Sequence, residues 1–127
     1  TPFEVHWGEK LQLTWQCGDK KEYVCSLDYG MEIVKGKWKS VIVCQLNKSP
    51  TRFLELQRQF PNISHKVLAE KLKELENDGI VEKEVFMELP PRVEYKLTEV
   101  GFKLHEVLRQ LEIWSKGYIQ EFKKIEE

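Results

Sequence analysis

The chain has 127 residues, enough for one small domain with a core of its own. Charged residues at 32% and hydrophobic ones at 41% are ordinary for a globular protein, and no apolar run approaches the roughly 18 residues of a transmembrane helix. The net charge of −1, taken alone, argues against a nucleic-acid binder, because a polyanion is usually met by a basic surface.

Residues 1–24 form a distinct leader. Phe3, Val5 and Trp7 alternate with polar residues, and after Gly8-Glu9-Lys10 so do Leu11, Leu13, Trp15 and Cys17. A period of two on both sides of a turn signal predicts a hairpin or an extended arm. Two strands alone are marginal in water, so an ordered arm should lean on the main domain or on a second copy. A plain mobile leader is the alternative. The expected division is an arm over 1–24 and the functional domain over 25–127.

From Cys25 onward the period turns helical. Leu27, Met31 and Val34 predict a first helix, with Ser26 offering an N-cap and Gly36 a stop. Trp38, Val41, Ile42 and Leu46 mark a second, broken by Asn47-Lys48-Ser49-Pro50. Phe53, Leu56 and Phe60 mark a short third, ended by Pro61. Ser64 caps a fourth, from about His65 to Asp78, whose apolar face is Leu68, Leu72 and Leu75, with Gly79 as terminator. The residues Ile80 to Phe86 are rich in β-branched types. Pro90-Pro91 then makes a loop, and Val93, Tyr95 and Leu97 alternate with Glu94 and Lys96, which predicts a hairpin with a protruding tip. Thr98 caps a last helix reaching about Lys124.

That order predicts an α+β fold, mostly α: a winged helix-turn-helix with a long C-terminal dimerisation helix. Residues 53–60 and 65–78 have the form of a helix-turn-helix pair. In such pairs the second helix enters the major groove and its first residues meet base edges. With the leucines inward, His65, Lys66, Ala69 and Lys73 fall on the free face. Lys66 can take a phosphate or the guanine O6/N7 edge. Ser64, His65 and Lys66 are the candidate base contacts. Lys37, Arg52 and Lys73 are candidate flanking contacts, and Arg92, at the base of the wing, is a candidate for the backbone or minor groove.

The charge objection dissolves on inspection of where the charges lie. Between Lys35 and Lys66 stand seven basic residues (Lys35, Lys37, Lys39, Lys48, Arg52, Arg58 and Lys66) against Glu55 alone, a local excess of +6, while the remainder of the chain carries −7. A steered DNA contact needs that asymmetry more than it needs a basic total.

The last helix would span roughly 40 Å at about 1.5 Å per residue. Leu104, Leu111, Tyr118 and Ile125 recur every seven residues, with Leu108 and Phe122 beside them and Trp114 between. Such a stripe seeks a partner helix, most simply its own copy. Leu104, Leu108, Leu111, Trp114, Tyr118 and Phe122 are the candidate dimer interface. A two-fold dimer would read a near-palindromic site in double-stranded DNA. The contrary option is a helix bent back along its own subunit at Gly101 and Gly117.

Cys17, Cys25 and Cys44 are an odd set without metal-ligand spacing, and His6, His65 and His105 are scattered. No metal, cofactor or nucleophile–base pair is indicated, so no enzyme is expected. The absence of a signal-type apolar run points to a reducing, cytoplasmic setting. Cys44 falls on the core face of the second helix and is expected to serve packing.

Several segments resemble the HxlR-type family of bacterial winged-helix transcriptional regulators. They are Cys25-Ser26-Leu27-Asp28, Gly36-Lys37-Trp38-Lys39, Arg52-Phe53-Leu54-Glu55-Leu56, Ile63-Ser64-His65-Lys66-Val67-Leu68, the run Leu72 to Val81 through Asp78-Gly79, and Pro90-Pro91-Arg92-Val93-Glu94-Tyr95 continuing to Gly101. The resemblance covers residues 25 to about 115. It implies a dimeric, cytoplasmic, DNA-binding repressor or activator, with no membrane association. Some members carry a sensing cysteine where Cys25 stands, within a Cys-Pro-x-Glu pattern; here Ser26 replaces the Pro and Asp28 the Glu. A thiol at a helix N-terminus has a physical reason to be reactive, because the helix dipole stabilises thiolate. The alternatives are an inert half-buried thiol and a Cys17–Cys25 bridge. Two further readings of the whole are a ligand-gated regulator with a pocket lined by Trp114 and Tyr118, and a winged-helix module that binds protein instead of DNA.

Overall fold

An antiparallel pair comes first: β1 (Leu11–Thr14) runs against β2 (Lys20–Tyr23), with Leu11 opposite Tyr23 and Thr14 opposite Lys20. The structure is a computed structural model and describes residues 11–14, 20–23 and 25–123. The expected turn at Gly8-Glu9-Lys10 lies outside the described residues, as do Phe3, Val5, Trp7, Trp15 and Cys17. Leu11–Thr14 pairs forward with Lys-Lys-Glu-Tyr, a segment whose run of charges hides its strand period.

The first helix, α1 (Ser26–Val34), begins one residue earlier than a Ser26 cap would require. Cys25 holds the N-cap position in extended geometry (φ −162°), and its carbonyl accepts from the Tyr29 amide at 3.2 Å. The chain divides into two compact units after Lys35, so α1 goes with the leader instead of with the residues that follow.

In the second unit, Gly36 takes φ +100°, a conformation that L side chains rarely adopt. It leads into α2 (Lys39–Lys48), with Ile42, Val43 and Leu46 buried. Next come α3 (Phe53–Gln59) and α4 (His65–Asn77). Ser64 caps α4 as expected: its Oγ accepts from the Val67 amide at 3.1 Å. At the far end Gly79 sits at φ +74°, its amide donates to the Glu76 carbonyl at 3.0 Å, and the Ile80 amide donates to the Leu75 carbonyl at 2.9 Å. This is a Schellman closure, with Ile80 and Leu75 both buried as the apolar contact that accompanies it.

The wing is β3 (Val81–Phe86) against β4 (Arg92–Leu97), antiparallel, with Val81 opposite Leu97 and Phe86 opposite Arg92. Its base is widened by Thr51, whose amide and carbonyl both bond to Tyr95 at 2.9 Å. The residues leading into α3 are thereby fastened to β4. The core beneath is made by Leu56, Leu68, Leu72, Leu75, Ile80 and Leu97 with the buried side of α2.

The last helix, α5 (Glu99–Tyr118), is capped by Thr98, whose Oγ1 accepts from the Gly101 amide at 3.0 Å. It packs along α2 and against β4. It does not bend back at Gly101 or Gly117; it stays helical through both and passes into a π-helical stretch, Ile119–Lys123. Gly101 serves a different purpose: a β-carbon there would collide with the Ile80 carbonyl oxygen. Lys124 and Ile125 lie outside the described residues. Among the described residues no helix is long and apolar enough to cross a membrane.

Candidate nucleic-acid interface

The apolar stripe of α4 decides what its other side presents. Leu68, Leu72 and Leu75 are buried, so helical geometry turns His65, Lys66, Ala69 and Lys73 outward, and all four are exposed. Ser64 is exposed as well. Its hydroxyl oxygen is occupied as an acceptor by the cap, which leaves its proton free to donate. The first amides of any helix lack intrahelical acceptors, so the start of α4 presents N–H groups and a positive dipole end beside two cationic or neutral donors.

His65 does not stand alone. Its imidazole lies 4.6 Å from the Phe53 ring, centroid to centroid, at 54°. Phe53, a residue that periodicity assigns simply to the α3 core, therefore buttresses the start of α4. Gln57 adds a second brace that sequence did not disclose: its Nε2 donates to the Ile63 carbonyl in the turn, at 2.5 Å.

Flanking the helix, Arg52 occupies the N-cap position of α3 and is exposed. Lys37 is exposed and holds its ammonium 5.0 Å over the Trp38 ring, which in turn packs against Phe60 at 6.2 Å. Arg58 is exposed but paired with Glu55 at 2.6 Å.

Two elements of the basic surface are not as the sequence suggests. Lys39 belongs to the basic segment between Lys35 and Lys66, yet it is 5% exposed, and its ammonium sits 2.9 Å from a Glu74 oxygen on α4. Burial works against ionised Glu74, but the hydrogen bond and charge of Lys39, helped by Lys71, hold its carboxyl below the usual range. Arg92 is the other. Because it faces Phe86 across the strand pair, its guanidinium lies 4.1 Å over that ring. It also sits 3.5 Å from Glu88 and 3.4 Å from Glu94. The register places Arg92 beside the loop at the tip of the wing and not at its base, and these contacts tie its guanidinium to the wing. Lys96 is likewise held between Glu84 and Glu82, whose hydrogen bonds and charge raise its pKa. The wing's exposed apolar residues are Val85, Met87, Leu89 and Val93.

The expected dimer stripe separates into two sets. Leu108 is buried within its own chain at 8% exposure and Leu104 is half-buried, whereas Leu111, Trp114, Tyr118 and Phe122 are exposed, Trp114 at 64% and Phe122 at 65%. The three aromatic rings stack in sequence, 5.3 Å from Trp114 to Tyr118 and 5.2 Å from Tyr118 to Phe122. A cleft of about 370 Å³ lies at the start of α5 and is lined among others by Leu46, Lys48, Leu97, Glu99 and Phe102. Trp114 and Tyr118 take no part in it.

Cys25 is 5% exposed, and its side chain makes no capping bond. Burial, reinforced by Glu112 and opposed by Lys48, pushes the Cys44 thiol up. Both are free thiols. Among the described residues no cluster of His, Cys, Asp and Glu suits a metal ion.

Residues 33–123 match the family model described as HxlR-like helix-turn-helix. The uncharacterized HTH-type transcriptional regulator YtcD of Bacillus subtilis is 42% identical over 101 residues, which is 80% of each chain. Among solved structures, the redox regulator HypR in its reduced form superposes with a TM-score of 0.73 at 33% identity, covering 79% of this chain and 99% of that one. The reduced form of the transcriptional regulator YodB from B. subtilis gives 0.70 at 35%, covering 80% and 96%.

Proposed function

The chain belongs to the HxlR-like helix-turn-helix family of transcriptional regulators, not to an enzyme family, and we propose that it reads duplex DNA sequence-specifically as a homodimer in the cytoplasm. The observation that carries this is the division of α4. Its leucines are buried, while Ser64, His65, Lys66 and Lys73 stand exposed on a helix capped at the end that would meet the bases. In this reading Ser64, His65 and Lys66 meet base edges, and Arg52, Lys37 and Lys73 meet phosphates. Arg92 joins only by leaving Glu88 and Glu94. The exposed set Leu111, Trp114, Tyr118 and Phe122 supplies the apolar face that pairs two copies, which brings two α4 helices to a near-palindromic site about one DNA turn apart.

The test is a mobility-shift titration with the protein's own upstream region and with random duplex. Lys66→Ala should lower affinity for the former by more than for the latter; equal losses would reduce Lys66 to a phosphate contact. Arg52→Ala should reduce the slope of log affinity against log salt by about one, and an unchanged slope would strike Arg52 from the contact set. No shift with either duplex would sink the reading.

A second reading adds a thiol sensor. It is supported by the likeness to HypR, named as a redox regulator, and by the place of Cys25 at the N-cap of α1. The burial of Cys25 and the Ser26 and Asp28 departures weigh on the other side. Diamide treatment should change the DNA shift of the native chain and leave Cys25→Ser unaffected. A Cys25→Ser protein that still responds removes Cys25 from the role.

A further inference from the structure

Lysine side chains are almost never fully buried without a partner, yet Lys39 on α2 is 5% exposed, its ammonium 2.9 Å from Oε1 of Glu74 on α4. The other carboxylate oxygen of Glu74 meets Lys71 at 3.4 Å. The pair joins the core-forming helix to the helix that carries the exposed reading face.

The position of Glu74 on α4 gives the contact its meaning. At about 100° per residue, Glu74 falls on the flank between the stripe of Leu68, Leu72 and Leu75 and the face of Lys66 and Lys73. Apolar packing is non-directional and tolerates a small roll of the helix about its axis. A charge-assisted hydrogen bond placed on the flank does not, because it is short and directional. A roll of about 20° carries a side-chain end lying about 6 Å from the axis through roughly 2 Å, which is enough to lose a base-edge hydrogen bond.

We propose that Lys39 is a positioning residue for DNA reading: through Glu74 it fixes the roll of α4, and so the direction in which His65, Lys66 and Lys73 point. The inference rests on the proposal that α4 reads DNA. Lys39 itself touches no phosphate, because its ammonium is enclosed. The pair is buried on the Lys39 side and partly open on the Glu74 side, and its use lies less in net stability than in setting which of several packings is adopted.

The experiment first selects a duplex from a randomised pool with the wild-type protein, then measures affinity for that duplex and for a fixed random one of equal length. Lys39→Met and Glu74→Gln should each lower the ratio of the two affinities by about tenfold, a loss on the scale of one base contact. The salt slope should not change. The double variant should be no worse than either single one, and Lys39→Arg should restore most of the ratio. Circular dichroism confirms folding; should Lys39→Met unfold, Glu74→Gln and Lys39→Arg carry the test. A folded variant that keeps the wild-type ratio overturns the proposal, and so does a salt slope lower by about one, which would make Lys39 a phosphate contact. Failure of the wild type to enrich any sequence overturns the DNA reading and this inference with it, whereas enrichment with an unchanged ratio in the variants overturns this inference alone.

Discussion

Gly101 lies against the carbonyl oxygen of Ile80 so closely that a β-carbon has no room between them. The same carbonyl accepts the Thr98 amide at 3.0 Å, and the Thr98 hydroxyl reaches the Gly79 carbonyl at 2.6 Å. The end of α4, the root of the wing and the start of α5 therefore meet at one point. Gly101→Ala should cost about 2–4 kcal/mol in urea unfolding, because backbone must move to admit the methyl group. Gly117→Ala, which meets nothing within 4 Å, should stabilise α5 by about 0.5–1 kcal/mol. Similar values for the two would contradict the close approach at Ile80.

Ser64 has two separable roles, as cap and as DNA contact. Ser64→Ala should lower stability by about 1 kcal/mol and weaken DNA binding. Ser64→Asp retains a good cap and should hold the melting temperature, while its charge, set against phosphates, should reduce DNA affinity by more than Ser64→Ala does. An aspartate variant that binds DNA as well as wild type would place the start of α4 away from the duplex.

The aromatic ladder of Trp114, Tyr118 and Phe122 on α5 is a large exposed surface. Trp114→Glu should convert the proposed dimer to monomer in sedimentation equilibrium at micromolar concentration, with little change in the far-ultraviolet dichroism. Persistence of the dimer would move the interface elsewhere.

Asp78, at the C-cap of α4, has its pKa raised by burial, with Glu74 adding to the effect and Lys39 opposing it. A raised carboxyl means that the folded state keeps its proton to a higher pH than the unfolded chain does. Its ionised form therefore costs stability above the ordinary carboxylate range, and the cost is absent below it. Asp78→Asn should raise the melting temperature at pH 7 by about 1–3 °C, a gain kept small by partial exposure, and should match wild type near pH 3. Glu74 runs the other way: its lowered carboxyl contributes stability at neutral pH that fades as pH falls through its folded value. An equal gain for Asp78→Asn at both pH values would assign the effect to the cap instead of the charge.

The helices, the caps at Ser64 and Thr98, the stop at Gly79 and the hairpin were legible because each rests on local chemistry: spacing of apolar residues, a hydroxyl before a helix, a residue free to take positive φ. The division of α4 into a buried and an exposed face followed from period alone. The first strand pair was only half legible, since the charges of Lys20-Lys21-Glu22 obscured its second member. Ser26 and Cys25 exchanged places at the start of α1 because a cap is defined by backbone geometry to within one residue.

What the sequence by itself determined is the order of elements, the inward leucines and the outward Lys66 and Lys73, all consequences of interactions within a few residues. What tertiary structure alone decided is the state of the charges. Lys39 reads as one of seven basic residues between Lys35 and Lys66, and only the approach of α2 to α4 sets it on Glu74. Arg92 reads as a free guanidinium, and only strand register places Phe86, Glu88 and Glu94 around it. A charge acts through its neighbours in space, and those neighbours here are up to 35 residues away along the chain.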